Sequence, residues 1–127
     1  MKRVETKTTE IILHDKGYAA IRYKPGAMVD LSSAKEDFEK SMQLSEGQPF
    51  PIFVDARGLK HATREARIYN AREELKGLII ASAVLVDSIP TRIMANMYMT
   101  FQKPGFPIKV FSNEYDAMQW LNAYIKK

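Results

Sequence analysis

The sequence predicts an α/β fold: an N-terminal β-hairpin followed by β-α units, giving a mostly parallel five-stranded sheet packed with four helices. Three observations carry this. A run rich in β-branched and aliphatic residues, Thr9 to His14, meets the turn Asp15-Lys16-Gly17 and a second run, Tyr18 to Tyr23, which is a hairpin signature. Two short apolar runs, Pro51 to Val54 and Leu78 to Val86, each end on an acid, Asp55 and Asp87, as strands buried on both faces do. Helix-length amphipathic segments alternate with these runs, and parallel neighbours need crossovers of that length.

Residues 1–8 read as an N-terminal tail, and residues 9–127 as one domain. After the hairpin, Lys24-Pro25-Gly26 breaks the pattern. A helix follows that Asp30, Ser32 or Ser33 can cap, Ser33 and Glu36 having capping-box spacing. Leu31, Ala34, Phe38 and Met42 recur at three- and four-residue steps and give it one apolar face, and Gly47 and Pro49 end it. The strand ending at Asp55 turns at Arg57-Gly58 into a charged helix from Ala62 or Thr63 to Leu75, with Gly77 as its C-cap. After Asp87, Ser88 is a good N-cap and Pro90 sits in the first turn, where its missing N–H costs nothing. That helix runs to the region of Gln102 and stops at Pro104-Gly105. Pro107 to Phe111 is the fifth strand. Ser112 or Asn113 caps a last helix whose Ala117, Met118, Leu121 and Ile125 face the core.

A chain of 127 residues, 46% hydrophobic and 27% charged, can bury a core without covalent staples. It has no cysteine, which excludes disulfides, a thiol nucleophile and Cys-ligated metal, and fits a reducing compartment. The start, Met1-Lys2-Arg3-Val4-Glu5, is too polar for a secretory signal. The longest apolar stretch, Gly77 to Val86, is about half of what a bilayer needs. A cytoplasmic protein with no membrane span is expected. Net charge is +4, and six basic residues between Arg57 and Lys76 face only Glu65, Glu73 and Glu74. That balance permits attraction to anions. Without interleaved aromatics or a known motif, no nucleic-acid partner is expected.

The order of elements, with the segments Phe53-Val54-Asp55-Ala56-Arg57, Ser88 to Asn96, Lys103 to Phe111 and Ala117-Met118-Gln119-Trp120-Leu121, resembles the STAS superfamily, the SpoIIAA-like fold of anti-sigma-factor antagonists. Within it, the chain is similar to small uncharacterised bacterial STAS-like proteins. The resemblance spans Thr9 to Ile125 and implies regulation by binding. In the antagonists, a serine in an Asp-Ser-Ser-Gly turn is phosphorylated by the partner kinase. Alignment on Asp55 sets Thr63-Arg64-Glu65-Ala66 opposite that turn, so the serines and the glycine are absent. Thr63 is the only hydroxyl nearby, and it reads as the N-cap of the following helix or as a residual modification site.

In open parallel sheets, ligands gather where strands end and helices begin. Those places hold Asp55 with Arg57, Asp87 with Ser88, and Ser112 with Asn113. Helix-start N–H groups with Arg57, Arg64 and Arg92 form a candidate site for a phosphate or carboxylate, though the same residues also serve as caps and turn ties. The helix after Ser88 is rich in soft apolar side chains, Met94, Met97, Tyr98, Met99 and Phe101, which suit either core packing or an adaptable binding surface. His14 and His61 have neither metal-ligand spacing nor a carboxylate partner in sequence. The candidate binding or regulatory residues are therefore Asp55, Arg57, Thr63, Arg64, Arg67, Ser88, Arg92 and Asn96. No catalytic residue, metal or cofactor is expected. The expected function is a non-catalytic regulatory or protein-interaction module, with a regulatory protein or a second copy as partner. The alternative is a carrier or sensor of a small apolar or anionic ligand, an apolar or amphipathic one being held between the Met-rich helix and the sheet.

Overall fold

The computed structural model describes residues 1–125; residues 126 and 127, the end of the expected domain, lie outside the described residues. The hairpin forms as β2 (Thr9–His14) and β3 (Tyr18–Tyr23), with Gly17 at φ 96° in its turn, a conformation glycine adopts without steric cost. Lys2–Glu5, placed by the sequence in the tail, pairs antiparallel with β2 as strand β1. The parallel part follows: β5 (Phe50–Asp55) pairs with β3, β7 (Ile79–Leu85) with β5, and β8 (Ile108–Phe111) with β7. The main sheet is thus six-stranded, in the order β1-β2-β3-β5-β7-β8. The expected five strands and their directions are all present; β1 adds the sixth.

A second, two-stranded parallel sheet joins β4 (Ala27–Val29) to β6 (Leu59–Ala62). Its geometry is set by two glycines. The amides of Gly26 and Ala27 donate to the Gly58 carbonyl at 2.8 and 3.2 Å, and a Cβ on Gly58 would stand 2.8 Å from the Lys24 carbonyl oxygen.

The described residues form four α-helices: α1 (Leu31–Ser45), α2 (Arg64–Tyr69), α3 (Ile89–Met97) and α4 (Glu114–Asn122); α1, α3 and α4 pack on the main sheet, and α2 packs on α1 and the small sheet. Asp30 caps α1 in a capping box completed by Ser33. Ser88 caps α3 in the same way with Thr91, with Pro90 in its first turn. The charged helix expected to reach Leu75 is shorter. It stops at Tyr69 and resumes as a 3-10 turn, Glu73–Gly77. Two interactions end it. The Tyr98 hydroxyl donates to the Asn70 carbonyl, and the Arg72 guanidinium lies over the Tyr69 and Phe38 rings while donating to the Tyr69 carbonyl. Beyond α3 the chain continues as a π-helical turn, Tyr98–Gln102, and leaves it at Lys103 with φ 48°.

Side-chain alternation along the strands divides the molecule into two faces. Phe53, Ala81, Ala83 and Leu85 point to one face and are buried under Ala117 and Leu121 of α4. Ile52, Val54, Ser82 and Val84 point to the other, which is roofed by α1, α2, α3 and the π turn. No helix among the described residues is long and apolar enough to cross a membrane.

Candidate functional site

The roofed face is not filled. A cavity of about 220 Å³ lies between the sheet and the three helices. Its floor follows the two-residue period of the strands: Ile11 and Leu13 from β2, Ala19 and Ile21 from β3, Ile52 and Val54 from β5, Val84 from β7 and Ile108 from β8. Its roof carries Phe38 and Met42 from α1, Met94 and Ala95 from α3, and Tyr98 from the π turn. The wall is overwhelmingly apolar and open at one side. The cavity therefore opens beside Met94, on the helix whose methionines suggested either core or binding surface.

A few polar groups reach the wall. Burial pushes the Tyr23 and Tyr98 hydroxyls far up from the ordinary phenol value, so both stay neutral. Asp37, on α1, is the acidic residue there. Burial raises its pKa, and the hydroxyls of Thr6, Thr8 and Thr9, which donate to it at 2.5, 2.8 and 3.1 Å, oppose the rise without cancelling it. Arg67, on α2, is the basic one. Its Nη1 donates to the Ala62 carbonyl at 2.6 Å and its Nε to Gln102 Oε1 at 3.3 Å.

The other sequence-predicted residues lie elsewhere. Asp55 points to the α4 face and is buried, 4% exposed, at the end of β5. Arg57 folds back on it, with Nε and Nη2 donating to the two carboxylate oxygens at 2.9 and 2.8 Å and the backbone N–H at 3.1 Å. Arg22, its register partner on β3, adds a contact at 3.3 Å. Burial alone would raise the Asp55 pKa; the hydrogen bonds and charge of Arg57, with Arg22, outweigh it and hold the carboxyl below its ordinary value. Thr63 is the N-cap of α2, accepting from the Ala66 N–H at 3.2 Å. Ser88 is engaged with Thr91 in the α3 cap, and Arg64, Arg92 and Asn96 are exposed. The structure joins Asp55 to Arg57 and places Arg67 on the cavity wall. The remaining five do not line the cavity.

Tyr23 and Asp37 are wall residues that the sequence reading did not single out. The signal available for Asp37 was an acid beside Phe38 on the apolar side of α1, with the hydroxyl-rich run Thr6-Lys7-Thr8-Thr9 to receive it. The two histidines hold no such place: His14 stacks on Tyr18 with ring centroids 4.5 Å apart, and His61 is exposed on β6. Among the described residues no group of three or more His, Cys, Asp or Glu side chains is gathered as a metal would require.

No curated protein matches the chain. Among solved structures, it is similar to an uncharacterised protein of the DUF3478 family with a SpoIIAA-like fold from Shewanella loihica PV-4. The match has a TM-score of 0.63 and 13% identity, and covers 89% of this chain and 91% of that one. At that identity the likeness is one of fold, and the architecture is SpoIIAA-like, as the order of elements implied. A family model described as "Domain of unknown function (DUF7793)" matches residues 12–125, and the chain belongs to that family.

Proposed function

We propose that this protein is a non-catalytic binding module that takes up a small, mainly apolar molecule in the cavity between the sheet and α1–α3. The observation that supports this reading is the size of the hollow. Protein interiors are close-packed, with few voids larger than a water molecule. The hollow of about 220 Å³, open at one side, is far above such voids and leaves its apolar wall without partner atoms. An apolar guest supplies those atoms, and an apolar cavity of about 150 Å³ already accepts benzene. No covalent step is required of any residue.

The test is uptake of a neutral apolar dye, N-phenylnaphthylamine, read by its fluorescence. Wild type should bind it with saturable, one-to-one enhancement. Ala19→Phe, which projects a ring from the floor into the hollow, should abolish uptake while leaving Tm unchanged or raised. Absence of saturable binding by wild type, or undiminished binding by a folded Ala19→Phe, sinks the reading.

A second reading, a regulatory or protein-interaction module, is favoured by the outer side of α3. Ile89 and Ile93 are 76% and 54% exposed beside Arg92 and Asn96. Lone exposed apolar residues are ordinary, but two at i, i+4 on a helix make a stripe a partner can cover. A second copy is the simplest partner. The mass in solution should then rise with concentration, and Ile93→Asp should hold the protein monomeric. A monomer at all concentrations removes the self-association form of this reading.

A further inference from the structure

We infer that the ligand is an aliphatic carboxylate, an apolar chain ending in one negative charge, and that Arg67 is the group that recognises that charge. This deepens the cavity reading and rests on it.

The seven arginines are partnered differently, and Arg64 and Arg92, which pair with no carboxylate among the described residues, are exposed to water. Arg3, Arg22, Arg57 and Arg72 each stand within ion-pair distance of a carboxylate. Arg67 does not, among the described residues, although it is half-buried and sits on an apolar wall. Its protein partners are neutral acceptors, the Ala62 carbonyl and the Gln102 side chain, and they engage only Nη1 and Nε. These contacts hold the guanidinium plane and leave Nη2 to donate. An unpaired cation in an apolar setting is costly, and an anionic guest offsets that cost.

The charge of the guest follows from the same wall. Arg67 is the one cationic side chain lining the cavity, among the described residues. Asp37 is the one acidic side chain there, and its oxygens accept from Thr6, Thr8 and Thr9. One free cation neutralises one charge. A phosphate monoester would bring a second that nothing on the wall answers, whereas a carboxylate brings one, in a plane that matches the guanidinium fork. The rest of the wall is mainly aliphatic and aromatic, with uncharged polar residues such as Ser41, Gln48 and Ser82 among them, and suits a hydrocarbon chain.

Displacement of bound N-phenylnaphthylamine at neutral pH by decanoate, decanol and decyl phosphate tests this. Decanoate should bind wild type about tenfold more tightly than decanol, the effect of one charge-assisted hydrogen bond. It should also outcompete decyl phosphate. Arg67→Gln should erase the preference for decanoate over decanol, and Arg67→Lys should keep part of it. Equal affinities for decanoate and decanol in wild type that still takes up the dye overturn this inference and leave the cavity reading standing. So does a stronger affinity for decyl phosphate, or an Arg67→Gln variant that keeps the full preference. Failure of the dye and of all three competitors to bind wild type overturns both. If Arg67→Gln does not fold, the comparison of ligands on wild type and Arg67→Lys decides alone.

Discussion

The two faces of the main sheet are built from the same strands and packed in opposite ways. On the α4 face, alanines do the spacing: Ala81, Ala83 and Ala117 are fully buried, and their small side chains bring the helix close enough for Leu121 and Leu85 to fill what is left. On the other face, the strands present larger aliphatic residues such as Ile21, Ile52 and Val54. The helices above them are propped away by contacts among themselves and with the small sheet. Val29, Ala34 and Ala66 form a separate small core between α1, α2 and β4, and Ala56, Val84, Val86 and Ala95 tie α3 to the strand ends. A sheet need not be packed to one density on both sides. Here the α4 face carries the close packing, and the other is free to be hollow.

The largest test of that contrast is truncation. Leu121→Ala removes a side chain that is 0% exposed and should lower unfolding free energy by about 3 kcal/mol, within the range for leucines in tight cores. Met94→Ala, on the cavity roof, removes a side chain with space already beside it and should cost about 1 kcal/mol. Equal losses in urea denaturation would mean that the two faces are packed alike. Enlargement should reverse the order. Ala83→Leu has nowhere to go and should destabilise by about 1–3 kcal/mol, whereas Ala19→Leu, on the cavity floor, grows into the hollow and should be neutral or stabilising. On the α4 face again, Arg57→Ala leaves the buried Asp55 with Arg22 as its remaining charge partner. A loss of about 1–3 kcal/mol is expected, as for hydrogen bonds to a buried charged group.

The dense face was the legible one. Pro51 to Asp55 and Leu78 to Val86 announce buried strands because apolar runs bounded by an acid or a turn have few other uses, and Ala117 and Leu121 mark a helix face by their spacing. The strand β1 was not legible, since Lys2-Arg3-Val4-Glu5 holds one aliphatic residue and forms only because β2 offers an edge. The short sheet of β4 and β6 was hidden for a similar reason: its register depends on the backbones of Gly26 and Gly58 rather than on a hydrophobic pattern. The cavity was legible only as a question about the Met-rich helix. Periodicity tells which side of a strand is apolar, but not whether the layer above it comes close enough to fill the space. For the same reason Arg67 stood in the sequence as one basic residue among six, and only the fold separates it from Arg64, which is exposed.

The smallest effect separates the faces electrostatically, because the buried Asp55 and the half-buried Asp37 respond to acid with opposite sign. Asp55 is held below its ordinary value of 3.8, since Arg57 and Arg22 outweigh the penalty of burial. The unfolded chain therefore binds a proton before the native one does. The stability from this residue is fully present above 3.8 and is lost as pH falls through its lower native value. Asp37 is raised above 3.8 because burial outweighs the three threonine hydroxyls. There the native state keeps its proton longer, so stability falls as pH rises from 3.8 through the raised native value. Denaturation followed from neutral to acid pH should show Asp55→Asn losing part of the wild-type acid sensitivity, and Asp37→Asn becoming more acid-sensitive than wild type over the window above 3.8. The second outcome bears on the contrast itself. A carboxylate that charges freely is well reached by water, whereas Asp37 resists charging even with three hydroxyl donors because burial governs it. If Asp37→Asn left the pH profile unchanged, burial would not govern that carboxyl, and the contrast between the two faces would be one of packing and not of charge.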